Sequence, residues 1–230
     1  MSLSVSCIET RNPNAAVRAI NSTLVHTPAR SVYWFSNLPP PKEILAPTQW
    51  IRINKLQGSF QEWVSYLTIK LMPSVVDTKH NIIVQGDGFA INGNAWTDEF
   101  LEYDYIGAPW LWKTSNQQVG NGGFSLRSRK LYDALIDWSP GYTVADWPNL
   151  SQELFNHSGL PEQAGVPEDS LISSVYRPHL ETNYNIKFAH VDLAHRFSIE
   201  GSESYTSPWF KHSLGFHGAE TAGHYGITLI

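Results

Sequence analysis

Ile82-Ile83-Val84-Gln85-Gly86-Asp87 is the stretch on which the fold turns. Three consecutive β-branched apolar residues read as a strand buried on both faces, the habit of a parallel sheet. The run breaks at Gly86-Asp87-Gly88, a turn composition. Just upstream, Phe60, Trp63, Val64, Leu67 and Leu71 recur at helical spacing, and Pro73 is expected to end that helix. Ile51 and Ile53 suggest a short strand, and Ser31-Val32-Tyr33-Trp34-Phe35 a longer one. Further back, Leu3, Val5 and Cys7 alternate with serines at strand period. Asn12-Pro13 then offers a helix cap and first helical residue, Ala16, Ile20 and Leu24 continue the helix, and Pro28 stops it. Strands alternating with helices predict an α/β fold with a right-handed, mostly parallel central sheet. No composition shift divides the chain, so a single domain over residues 1–230 is expected.

Downstream the pattern loosens. Tyr105-Ile106-Gly107-Ala108-Pro109-Trp110 reads as a strand entering a turn, Gly120-Asn121-Gly122-Gly123 as a glycine loop, and Leu131, Leu135 and Trp138 as a helix. Residues 139–167 hold four prolines and three glycines, and a loop of that length is often a functional lid. A further helix is expected from Pro167-Glu168-Asp169-Ser170, with Leu171, Ile172, Val175 and Tyr176 on one face. Residues 187–191 read as a strand, which makes the nearby His190, Asp192 and His195 structural.

Composition narrows the function classes. Apolar residues make up 42% and charged residues 16%, which excludes a disordered chain. Nine Trp, ten Tyr and ten Phe suit a packed core and also a cleft for sugars or bases. A net charge of −5 argues against general nucleic-acid binding, which depends on neutralising phosphates, and lends no support to a nucleic-acid acceptor. The single Cys7 excludes a disulfide framework and a cysteine zinc site. No apolar stretch marks a signal peptide or a membrane segment, so a cytoplasmic location is expected and the sequons at Asn21, Asn149 and Asn156 read as chance matches.

Four places carry candidate chemistry, each beside a plainer reading. Asp87 follows a buried strand, where open α/β sheets bind ligands, and a carboxylate there can hold Mg²⁺ or Mn²⁺ with substrate phosphates. It equally suits a turn. Gly120 to Gly123 let backbone approach a ligand, or form a tight turn. Glu168 and Asp169 open a helix, where acids meet the dipole favourably, or one of them is a general base. His217, within Gly215-Phe216-His217-Gly218, can ligate a metal or meet a diphosphate, or simply face solvent.

The order of these features resembles glycosyltransferases of the single-domain GT-A architecture. There a strand-end Asp-X-Asp holds the metal and the sugar-nucleotide diphosphate, a Gly-Gly-aromatic segment lines the sugar site, a Glu-Asp pair supplies the base, and in several a late His completes the metal site. Enzymes of the beta-1,3-galactosyltransferase and Fringe-like kind show this arrangement. More closely, residues 105–110, Gly120 to Arg127, Glu168-Asp169-Ser170 and Gly215 to Gly218 look like a widespread family of uncharacterised glycosyltransferase-like proteins, over about residues 3–218. Gln85-Gly86-Asp87 departs from the pattern by keeping only the last acid.

The resemblance implies a metal-assisted, inverting transfer from a nucleoside-diphosphate sugar to a hydroxyl acceptor, most simply a glycan. It assigns Mn²⁺ or Mg²⁺ to Asp87 and His217, and the base to Asp169 with Glu168 as neighbour or substitute. Glu9, Thr10 and Arg11 fall where base and ribose bind. Gln85 can bond a ribose hydroxyl, Gly122 and Gly123 line the donor site, and Trp110, Trp112 and Phe124 form the sugar-facing wall. Two alternatives belong to other classes. A carbohydrate-binding module would bind sugar without nucleotide. A nucleotidyltransferase would need a glycine-rich basic loop after the first strand, and residues 9–14 hold no glycine.

Overall fold

The computed structural model describes residues 2–54, 64–110, 113, 118–138, 167–201 and 206–229. The central sheet has six strands: β1 (Leu3–Ile8), β2 (Ser31–Ser36), β3 (Thr48–Arg52), β4 (His80–Ile83), β6 (Tyr105–Gly107) and β7 (Ser125–Ser128), in the order β3-β2-β1-β4-β7-β6. Three pairs are parallel, with Val5 opposite both Val32 and Ile82, and the two pairs involving β7 are antiparallel. The sheet is mostly parallel, as the alternation of strands and helices predicts. Between β1 and β2 runs helix α1 (Pro13–His26), capped by the Asn12 side chain with proline at its start.

The sheet buries both faces. Val5, Val32, Trp34, Ile82 and Leu126 pack on one side, and Tyr33, Phe35, Ile83 and Tyr105 on the other, under the Arg129–Trp138 helix. The serines of β1 therefore do not reach water. Ser4 and Ser6 are fully buried, and their hydroxyls accept from the Asn81 amide at 2.8 and 2.9 Å. Period-2 alternation separates the two faces of a strand, but a central strand has no solvent face.

A second sheet stands beside the first, in the order β5-β9-β8: β5 (Gly88–Ala90), β9 (Gly215–His217) and β8 (Ser198–Glu200). Its register sets His217 opposite Gly88 and Glu200 opposite His217. Two further sequence expectations need correction. Pro73 does not end its helix, which passes through a π-turn at Leu67–Leu71 and continues over Met72–Val75. The Met72 N–H reaches back to the Leu67 carbonyl, an i to i−5 bond, and Pro73 takes the second position of the α-helical turn that follows this widened one. Residues 187–191 are not a strand. Only Phe188 bridges to Tyr105, and His190 caps the Val191–Phe197 helix through a 3.2 Å bond from the Leu193 amide. Phe60, Trp63, Trp112, Asn149, Asn156 and nearly all of the 139–167 loop lie outside the described residues.

Candidate functional site

Strand order reverses between β1 and β4, and ligands in open α/β sheets lie beyond the carboxyl ends of such strands. A cavity of about 430 Å³ occupies that place. Glu9, Arg11 and Asn12 line it from the end of β1, Gln85, Gly86 and Asp87 from the end of β4, and Glu168 from the far side. Thr68 and Leu229 contribute further wall. The volume falls within the range of small-ligand pockets.

The Glu9 carboxylate folds back on its own turn and accepts from the amides of Asn12, at 2.5 Å, and Arg11. Gln85 and Gly88 exchange backbone hydrogen bonds of 3.0 Å each, so Gly86 and Asp87 form a tight turn. Asp87 is thus a turn residue, and it also lines the cavity. Gly218 N–H donates to the Asp87 carbonyl at 2.9 Å and fastens the second sheet to that turn.

The His217 ring lies between the two sheets. Its Nδ1 lies 2.7 Å from Glu200 Oε1 and its Nε2 3.2 Å from Gln85 Oε1 and 3.9 Å from Asp87 Oδ1. Asn121 donates to the other Glu200 oxygen at 2.8 Å. Burial alone would pull the imidazole down, but the Glu200 hydrogen bond and the charges of Glu200, Asp87 and Asp169 raise it overall. Metal-binding histidines commonly carry a carboxylate behind one ring nitrogen, the place that Glu200 takes here, while Nε2 faces Gln85 first and Asp87 beyond it.

The glycine loop makes these approaches possible. A Cβ on Gly123 would lie 2.0 Å from His217 Nε2, and one on Gly122 would lie 2.4 Å from Glu168 Oε1. The loop is tied down by Tyr105, whose hydroxyl donates to the Gly120 carbonyl at 2.6 Å, and by Asn121 Oδ1, which accepts from Gly123 N–H at 3.0 Å. On its other side, Gly122 N–H donates to Asp169 Oδ2 at 3.0 Å and Ser170 N–H to Asp169 Oδ1 at 2.6 Å. Burial first, and the neighbouring Glu168 charge second, leave the Asp169 carboxyl pushed up to about 7. Glu168 pairs with the fully buried Arg127 at 3.1 Å.

Residues 60–217 match the family described as "Protein of unknown function (DUF5672)". The chain belongs to that family. Its matched segment takes in the loop at 120–123, the acid pair and His217. No curated protein matches in sequence. Among solved structures, a glycosyltransferase involved in glycosylation of the major capsid of PBCV-1 aligns with TM-score 0.55 and 10% identity, over 97% of each chain. Mouse xyloside xylosyltransferase 1 in its apo form gives TM-score 0.54 and 13% identity, over 95% of this chain and 98% of that one. The apo form of glycosyltransferase GlyE of Streptococcus pneumoniae TIGR4 gives TM-score 0.52 and 13% identity over 94% of this chain. This chain spans 54% of GlyE. The likeness establishes for this member of the family the fold that these glycosyltransferases share.

Of the residues singled out in the sequence, Glu9, Arg11, Gln85, Asp87 and Glu168 share one cavity, while His217 and the glycines stand at its Asp87 end. Neither Thr10 nor Asp169 is on the cavity wall; Asp169 sits behind it, against the Gly122 amide. Trp110 is 7% exposed, packs over Gly120 and carries the Lys113 ammonium 4.2 Å from its ring centre. Phe124 cannot face a sugar, because it is fully buried and stacked on Phe197 at 4.8 Å. Glu200 and Arg127 escaped the sequence reading. Arg127 ends the quoted loop motif but carries no pattern of its own, and Glu200 becomes a partner of His217 only through the register of the second sheet.

Among the described residues no group of three or more His, Cys, Asp or Glu side chains is placed to hold a metal ion. Asp87 and His217 supply two donors, which is a fitting set where substrate phosphates complete the shell. No helix among the described residues is long and apolar enough to cross a membrane.

Proposed function

We propose that the protein transfers a sugar from a nucleoside-diphosphate sugar to a hydroxyl acceptor such as a glycan, with inversion at the anomeric carbon. The observation that carries this reading is the convergence at one sheet crossover of Asp87 and His217, on one side of the glycine loop, with Glu168 and Asp169 on the other. The fold shared with three glycosyltransferases supports it.

In this reading the nucleoside lies along Glu9, Arg11 and Gln85, and the diphosphate at Asp87 and His217. When bound by those two residues, Mn²⁺ or Mg²⁺ supplies charge neutralisation for the departing diphosphate. Asp169 takes the acceptor hydroxyl proton while the acceptor oxygen bonds to the anomeric carbon and the bond to the diphosphate breaks. Each Asp169 oxygen accepts one amide hydrogen bond and keeps a lone pair for that proton. One base and one displacement leave no covalent intermediate, hence inversion.

The test is a thermal-shift panel of nucleoside diphosphates with and without Mn²⁺. A matched nucleotide at 100 times its Kd should stabilise the fold by about 2.7 kcal/mol. A panel in which no nucleotide raises the melting temperature, alone or with Mn²⁺, overturns the reading.

A further inference from the structure

Glu168 and Asp169 are neighbours in the chain but have different partners. Glu168 meets a cation. Arg127 Nη2 lies 3.1 Å from its Oε1, with side-chain exposures of 0% and 6%. Arg127 is held in turn by its Nε on Ser125 Oγ at 3.3 Å and by the Tyr105 ring, 5.4 Å from its guanidinium carbon. Asp169 meets neutral donors instead, the amides of Gly122 and Ser170. Gly122 is common to both arrangements, since a side chain there would strike Glu168 Oε1 and Arg127 Nη2.

We propose that Arg127 is the positioning residue that divides labour between the two acids: its guanidinium engages Glu168 in a buried ion pair, and proton exchange falls to Asp169. A buried carboxylate beside a guanidinium that is always charged stays ionised. A half-buried carboxylate that accepts from neutral amides, with an anion next door, holds its proton more readily. The raised Asp169 carboxyl accords with this, Glu168 raising it and Arg127 opposing. Among the described residues, Lys113, Tyr105 and His217, one from each of three further segments, also exchange a field with Asp169. The inference deepens the base assignment above and rests on it for its catalytic meaning.

The test needs no donor or acceptor. Carbon-13 carboxyl NMR of the intact protein follows the titration of both acids in wild type, E168Q, R127K and R127M, with circular dichroism as the check on folding. In wild type, Asp169 should titrate near neutrality. E168Q should lower the Asp169 midpoint by ~1 pH unit, R127M should raise it, and R127K should hold it near wild type. If R127M fails to fold, E168Q and R127K decide the matter. An Asp169 midpoint unmoved in E168Q, or a Glu168 that titrates near neutrality while Asp169 stays ionised, overturns the proposal. Either result leaves nucleotide binding untouched, so a failure here is distinct from failure of the glycosyl-transfer reading.

Discussion

Asp169 concentrates two opposing demands in one side chain. Half-buried beside Glu168, its carboxyl is pushed up to about 7, which suits a base and burdens the fold. Asp169→Asn should lower transfer by about 10²–10⁴-fold, the usual worth of a positioned base, while nucleotide binding persists. Wild-type transfer should fall as pH drops below about 7, because the protonated acid accepts nothing. Stability moves the other way. The raised folded value means that ionisation weakens the native state, with a cost that begins above the unfolded carboxyl range near 4 and is complete above about 7. The melting temperature of Asp169→Asn relative to wild type should therefore climb between those limits. Its absolute offset also contains one lost amide hydrogen bond, about 1 kcal/mol, so the slope with pH is the diagnostic quantity. A flat difference across that window, measured by calorimetry, would count against a titrating acid at this position.

The glycine loop is the element that sets the site's dimensions. Its glycines are required by close approach rather than by turn geometry, since neither Gly122 nor Gly123 has a positive φ. Gly123→Ala must push the His217 ring aside or move the loop, at a cost of about 1–3 kcal/mol for overpacking. We expect it to remove the Mn²⁺-dependent part of nucleotide binding with little change in nucleotide binding without metal. Gly223 provides the control. It sits in the short Ala219–His224 helix with nothing within 4 Å of an added Cβ. Gly223→Ala should be neutral or stabilising by up to ~1 kcal/mol and leave binding intact. Calorimetric titration of both variants separates loop packing from general damage.

At the scale of the whole molecule, the two proposed metal donors belong to different sheets. Asp87 follows the central sheet, and His217 ends a strand of the second. If both hold one ion, their effects are not independent. Asp87→Ala and His217→Ala should each abolish the extra thermal stabilisation that Mn²⁺ adds to a nucleoside diphosphate, and the double variant should lose no more than either alone. Additive losses would mean two separate roles.

The same scale separates what was legible from what was not. Local chemistry wrote the frame. The β-branched run at 82–84, the alternation at 3–7 and the Asn12-Pro13 cap each bias a few neighbouring dihedrals, so strands, helices and the parallel sheet could be read directly. The turn at Gly86-Asp87 and the helix start at Glu168 were equally local. Assembly was not. Burial of Ser4 and Ser6, the π-turn that carries the chain through Pro73 and the withdrawal of Phe124 into the core follow from which surfaces meet. The decisive partners lie far along the chain: Glu200 is 17 residues from His217, Asn121 is 79 from Glu200, and Arg127 is 41 from Glu168. Sequence spacing encodes contacts within a helix turn or across one strand face. Pairings over such distances are set by sheet order and register, and only the tertiary structure decides those.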